Sequence, residues 1–185
     1  MKRILATLVI AGLVAGCAAQ GGNLRTVEGG RLNLLILGED AGADAPPRSG
    51  RVFKRVRDAL TGEMLDAGFN VYDEAAAMPG AAGRSDAEIF AVARSVKPVP
   101  IDATVIFTVH VASDERAQAR KLRVRLAGRL LNIASGRRLG NYETESPTWI
   151  AIPANCDRDC ELEWIGVEAS LLARDLGATL AKRLD

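Results

Sequence analysis

The chain has 185 residues, 24 Lys and Arg against 23 Asp and Glu, a formal net charge of +1, and 48% hydrophobic residues. That length suits one domain able to bury a sizeable core. The even charge balance leaves no electrostatic footprint for nucleic acid, and no run beyond the first sixteen residues is long enough for a membrane helix, which takes about 20 apolar residues.

The chain opens MKRILATLVIAGLVAGC. A basic head, Lys2 and Arg3, precedes an apolar run over residues 4–15. That run is too short to span a bilayer but suits the core of an export signal, typically about 7–15 residues. Gly16 and Cys17 then supply the small-residue end that a signal peptidase needs. A core helix that happens to end in cysteine is the plainer alternative, and the agreement of charge, length and small-residue placement argues against it. Leu13-Val14-Ala15-Gly16 before Cys17 resembles the lipobox of bacterial lipoproteins. The resemblance implies cleavage after residue 16 and a lipidated, palmitate-carrying Cys17 as first residue of the mature chain. Loss of Lys2 and Arg3 would take the formal net charge from +1 to −1. Ala18 stands where an aspartate would argue for inner-membrane retention, so the implied location is the periplasmic face of the outer membrane.

Residues 17–30, with AAQGGNLRTVEGG after the cysteine, read as a Gly-rich tether, and residues 31–185 as one periplasmic domain. RLNLLILG (31–38) predicts a buried strand, closed by a Gly/Pro loop over 39–50. Val52, Val56, Leu60 and Met64 recur every four residues and predict an amphipathic helix over 51–69, with Gly68 as its natural stop. FNVYD (69–73) predicts a short strand. Ser85 and Glu88 have capping-box spacing, so 85–96 reads as a second helix. In 102–113, Val105, Phe107, Val109 and Val111 share one strand face, and Thr104, Ile106, Thr108 and His110 the other. Residues 121–146 predict two strands joined at Ala134-Ser135-Gly136-Arg137, with Leu122, Val124, Leu126 and Leu130 inward and Arg123, Arg125 and Arg129 outward. Leu162, Ile165, Ala169, Leu172, Leu176, Leu180 and Leu184 predict a long helix over 161–184. The expected order is β-α-β-α-β-β-β-α, an α/β fold with a mixed sheet and amphipathic helices covering one face.

Cys156 and Cys160 remain after Cys17. An oxidising periplasm makes a disulfide the default for them. A zinc site would need more than two thiols and the single, distant His110. Three residues intervene, one too many for a C-x-x-C redox motif, and Asp157 and Asp159 would disfavour a reactive thiolate. The pair reads as a local staple whose small loop gives modest stabilisation.

IDATVIFTVHV and the hairpin RVRLAGRLLNIASGRRLGNYETE, whose LLNIASGRRL is similar to an RLVD-x-x-TG-x-x-L turn, resemble the periplasmic domain of the curli-secretion lipoprotein (CsgG-like) family. The fold of that family is also similar to the TolB N-terminal domain. The resemblance, by element order over 31–184, implies a non-enzymatic part of an outer-membrane export or assembly machine, often arranged in rings. A secretion channel of that family needs inserted hairpins of about 9–11 alternating residues per strand. This chain has no such pair, so it looks more like the short, barrel-less relatives such as the Pel-exporter lipoprotein.

Among candidate site residues, His110 has no assignable nucleophile and acid beside it and reads as a solvated strand histidine. Glu39, Asp40 and Asp44 read as solvating a loop, although acids at a strand end could serve metal or glycosidase chemistry. Gly38, Gly42 and Gly50 match no phosphate-loop pattern. Arg123, Arg125 and Arg129, with Arg120, Lys121, Arg137 and Arg138 near their ends, make a basic row that could meet anionic headgroups, an acidic polymer or simply water. Trp149, Ile150 and Ile152 lie between prolines and could form a partner or membrane contact, with Trp164 in the same patch, or fold back onto the domain. The reading is a non-enzyme without cofactor or metal, anchored through Cys17, with protein partners in an envelope complex or as a homo-oligomer. A monomeric lipoprotein binding an anionic glycan, lipid or protein through the arginine face is the alternative.

Overall fold

The computed structural model describes residues 30–41, 46, 50–72, 85–114 and 120–184. The expected signal peptide, Cys17, Gly42 and Asp44 lie outside the described residues. Strand β1 (Asn33–Glu39) is apolar at consecutive positions because both its faces are buried. It pairs in parallel with β2 (Asn70–Tyr72) on one side and β3 (Ala103–Asp114) on the other. Helix α1 (Arg51–Asp66) makes the crossover between β1 and β2, burying Val52, Phe53, Val56, Leu60 and Met64. It ends three residues sooner than its periodicity suggests. The Gly68 N–H reaches the Leu65 carbonyl (2.9 Å) and the Phe69 N–H the Met64 carbonyl (3.0 Å), with Gly68 at φ +91°. Only glycine takes that left-handed conformation without strain, so Gly68 stops the helix.

Helix α2 (Asp86–Ser95) opens on the expected capping box: Ser85 Oγ accepts the Glu88 N–H, and Glu88 Oε2 accepts the Ser85 N–H at 2.8 Å. Strands β3, β4 (Lys121–Asn132) and β5 (Arg137–Glu145) form an antiparallel meander. Gly136 at φ +67° turns the β4–β5 hairpin. A two-residue strand, β6 (Ile150–Ala151), pairs with Lys121 and Leu122 at the start of β4, in a stretch that reads as loop from sequence. Helix α3 (Arg158–Leu184) closes the described chain. The sheet order is β2-β1-β3-β4-β5, with β6 beside β4.

Helices α1 and α3 cover one face, where Leu34, Ile36, Val105, Phe107, Val109, Val124, Leu126 and Leu130 meet them. The expectation that all helices cover one face needs correcting. Helix α2 lies on the opposite face, with Ile89 and Ala93 packed over Leu35, Leu37, Ile106 and Leu131. The reason is the continuous apolar run of β1: Leu35 and Leu37 point away from the main core and would meet water without that cover.

Candidate binding face

Helix α2 covers only part of its face of the sheet, and the remainder is polar. Directly paired residues of antiparallel strands point to the same side. The register therefore lines up Ile106, Arg129 and Asn141, then Thr108, Ala127 and Glu143, then His110, Arg125 and Glu145. Glu39, at the end of β1, stands beside Thr108. These rows bound a concavity of about 400 Å³ lined by Glu39, Thr108, Ala127, Arg129, Asn141 and Glu143 among others.

Charge on this face is paired residue by residue. Arg129 donates from both terminal nitrogens to both oxygens of Glu39 (2.6 and 2.8 Å), the planar geometry a guanidinium and carboxylate share. Its Nε lies 3.0 Å from Asp86. Arg138 grips the other Asp86 oxygen at 2.6 and 2.7 Å and donates to Asn141 at 3.2 Å. Arg125 faces Glu143 at 3.3 Å, and Arg123 faces Glu145 at 3.5 Å. The expected arginine row is therefore not a free cationic patch. Among the described residues Arg120, Arg123, Arg125, Arg129 and Arg138 each have a carboxylate partner on a neighbouring strand or helix, and Arg137 does not, so the face offers donors and acceptors of both signs and little net field for a polyanion. Glu39, expected to solvate a loop, belongs to this network instead. Asp86, Asn141 and Glu143 were not singled out in the sequence. Asp86 lies in the first turn of α2, and only the fold brings it to Arg129 and Arg138.

His110 is half-buried on the same face. Burial holds its pKa below the usual imidazole value, and Arg125 pushes the same way against a weaker opposing pull from Glu143. Among the described residues no group of His, Cys, Asp and Glu is arranged to hold a metal ion.

Replacing Arg129 with Met leaves the largely buried Glu39 without its cation beside Asp86, which keeps only Arg138. The loss expected in urea unfolding is about 1–3 kcal/mol, below the figure for breaking a fully buried pair because water still reaches part of the site. Adding Glu39→Gln should recover part of that loss, since it removes the uncompensated charge.

The Trp149 stretch divides. Trp149 is 39% exposed, and the Arg123 guanidinium lies 5.4 Å from its ring centroid. Ile150 is half-buried in β6. Ile152, expected among the contact residues, is only 3% exposed and packs in the main core, so it is a structural residue. The backbone bond from its N–H to the Arg120 carbonyl (2.9 Å) turns it inward. Cys156 and Cys160 form a disulfide, S–S 2.02 Å. It joins the preceding loop to the first turn of α3, where Asp157 accepts the Cys160 N–H at 2.9 Å as a helix cap. Buried Glu161 takes Arg120 at 2.8 Å and Arg158 at 3.0 Å. Trp164 lies on α3.

No family model matches the chain, and no curated protein matches it by sequence. Its fold is nevertheless found among solved structures of bacterial proteins. A DUF330 protein from Xanthomonas campestris is similar at TM-score 0.51 and 11% identity, covering 83% of this chain and 85% of that one. The PelC dodecamer from Paraburkholderia phytofirmans matches at TM-score 0.49 and 11% identity, covering 82% and 88%. Lipoprotein GNA1162 from Neisseria meningitidis matches at TM-score 0.46 and 12% identity, covering 78% and 97%. At such identities the likeness concerns the fold alone. The curli-secretion or TolB membership that the sequence resembles finds no support in these matches. No helix among the described residues is long and apolar enough to cross a membrane.

Proposed function

We propose that the chain is a lipid-anchored lipoprotein of the bacterial envelope, held by Cys17 at the periplasmic face of the outer membrane, and that its domain is a non-enzymatic assembly subunit. The lipobox-like LVAGC supports the anchor. One observation carries the assembly role. Trp164, Val167 and Leu171 are 44%, 45% and 51% exposed and recur at spacings of three and four along α3. Scattered exposed apolar residues are ordinary, but a row on one helix face is a surface that association would cover. The partner that fits is a further copy of this chain, and β5 adds an edge to that surface. Among the described residues no strand pairs with the outer side of β5, which has Arg137 and Arg138 at one end and Glu143 and Glu145 at the other. Antiparallel pairing with a second β5 would set unlike charges against each other.

A second reading rests on the concavity beside Arg129. It is a solitary binding lipoprotein whose ligand is polar with balanced charge, rather than the polyanion that an unpaired arginine row would favour.

The mature lipidated protein, extracted in mild detergent, is expected to run as a discrete oligomer by native mass. Val167→Glu with Leu171→Glu should reduce it to a monomer with unchanged circular dichroism. A monomer before and after substitution would overturn the assembly reading and leave the binding one.

A further inference from the structure

We infer that the end of the domain from which the chain leaves toward Cys17 is a basic docking face for an anionic phospholipid surface; this rests on the reading that Cys17 is lipidated.

The topology gathers this end from distant parts of the sequence. Asn33 pairs with Asn70, Leu34 with Ala103, Ala103 with Asn132, and Asn132 with Arg137. The starts of β1, β2, β3 and β5 and the end of β4 therefore lie together. Helices α1 and α3 run side by side in the same direction: Arg51 bonds Asp159, Arg55 bonds Glu163, and Glu63 packs at Gly177. Both consequently finish at this end as well. Helix α2 also ends here, since Arg94 Nε donates to the Ile133 carbonyl at 3.1 Å. The chain arrives at the same place, where the Leu32 carbonyl accepts the Asn70 N–H at 2.9 Å.

Six exposed cations meet there: Arg31, Arg94, Lys97, Arg137, Lys182 and Arg183. None of them has an ion pair among the described residues. The arginines of the opposite end do: Arg51, Arg55, Arg120, Arg123 and Arg125 each face a carboxylate. The described acids at the basic end are Asp66 and Asp102, and Asp102 already accepts the Asn33 N–H at 2.8 Å. Cations at the last turn of a helix complement its dipole, which accounts for Arg94, Lys182 and Arg183. It does not account for Arg31, Lys97 and Arg137, which lie outside helices. Leu65, 53% exposed near the end of α1, adds an apolar tip suited to a headgroup layer.

Covalent geometry keeps this end near the lipid. From Cys17 to Gly30 the extended chain spans at most about 47 Å, at about 3.6 Å per residue. Attraction between the cations and anionic headgroups acts over a screening length of about 8 Å at physiological salt, well inside that reach. The anchor thus holds the basic end at high effective concentration beside the surface it complements.

The four lysines after residue 16 supply an internal control. Lys97 and Lys182 are at the basic end, and Lys54 and Lys121 are on the opposite half. The purified lipidated protein is placed on neutral phosphatidylcholine vesicles or on vesicles that also contain phosphatidylglycerol. It is then pulsed with an amine-reactive reagent and read site by site by mass spectrometry. On the anionic vesicles at low salt, Lys97 and Lys182 should react at least about five-fold more slowly than on neutral ones, with Lys54 and Lys121 unchanged. High salt should abolish the difference, and Arg137→Glu with Arg183→Glu should weaken it. Equal labelling of Lys97 and Lys182 on both vesicle types overturns the inference. Flotation with the neutral vesicles reads the anchor separately. A chain that does not float loses the anchor and this inference together, whereas one that floats without protection loses only the inference.

Discussion

Phe107→Ala is expected to destabilise the domain by about 3–5 kcal/mol, a large share of the 5–15 kcal/mol or so that holds a domain of this size folded. Phe107 is fully buried at the centre of β3, with its ring centroid 5.4 Å from that of Phe53 on α1. Gly38 makes room for the pair: a Cβ there would come within 2.8 Å of the Phe53 ring and 3.2 Å of Phe107. Truncation removes one of the two rings of this contact and leaves a cavity that sheet and helix cannot both close upon. Urea unfolding followed by circular dichroism measures the loss. Phe107→Leu, which keeps most of the volume, should cost much less. A Phe107→Ala protein within about 1 kcal/mol of the parent would mean that this contact does not form the centre of the core.

Cys17→Ser should have the largest effect on location. The substitution removes the thiol that would carry the lipid, and each buried methylene of an acyl chain contributes about 0.8 kcal/mol to membrane attachment. Incorporation of labelled palmitate should fall to background, and the precursor should keep its first sixteen residues. Both are read on a gel of metabolically labelled cells. Sedimentation alone would mislead, because an uncleaved apolar head can itself hold a chain to a membrane. Palmitate incorporation that survives in Cys17→Ser would show that the LVAGC reading is wrong.

His110 links the polar face to pH. Its folded pKa lies below the unfolded value, so the unfolded chain takes up the proton first as pH falls below the ordinary imidazole range. The associated stability is present in full above that range and is lost on acidification. Because the group is only half-buried, the effect should be small beside that of Arg129→Met.

Much of the architecture is legible in local spacing. The four-residue recurrence from Val52 to Met64 specifies α1, Ser85 and Glu88 specify the start of α2, and Gly68 marks where α1 stops. The alternation in β3 and β4 sorts Val105, Phe107, Leu122 and Leu126 from their polar neighbours, and the structure buries them as sorted. These signals are readable because helix and strand periods are properties of neighbouring residues, and burial selects apolar side chains at those periods.

Local spacing cannot say which elements meet. Glu39 and Arg129 are ninety positions apart, and their pairing depends on β1 lying beside β3 and β3 beside β4. Asp86 joins them only because α2 crosses to the second face, where Leu35 and Leu37 need cover. Ile152 looks like an exposed loop residue until β6 turns it into the core. The sequence by itself determined the elements, their apolar faces and the lipobox-like head. The tertiary structure alone decided which charges neutralise one another and which remain unpaired at the end where Arg31 leads into β1, because charge pairing follows strand order and register, and neither is encoded in the spacing of adjacent residues.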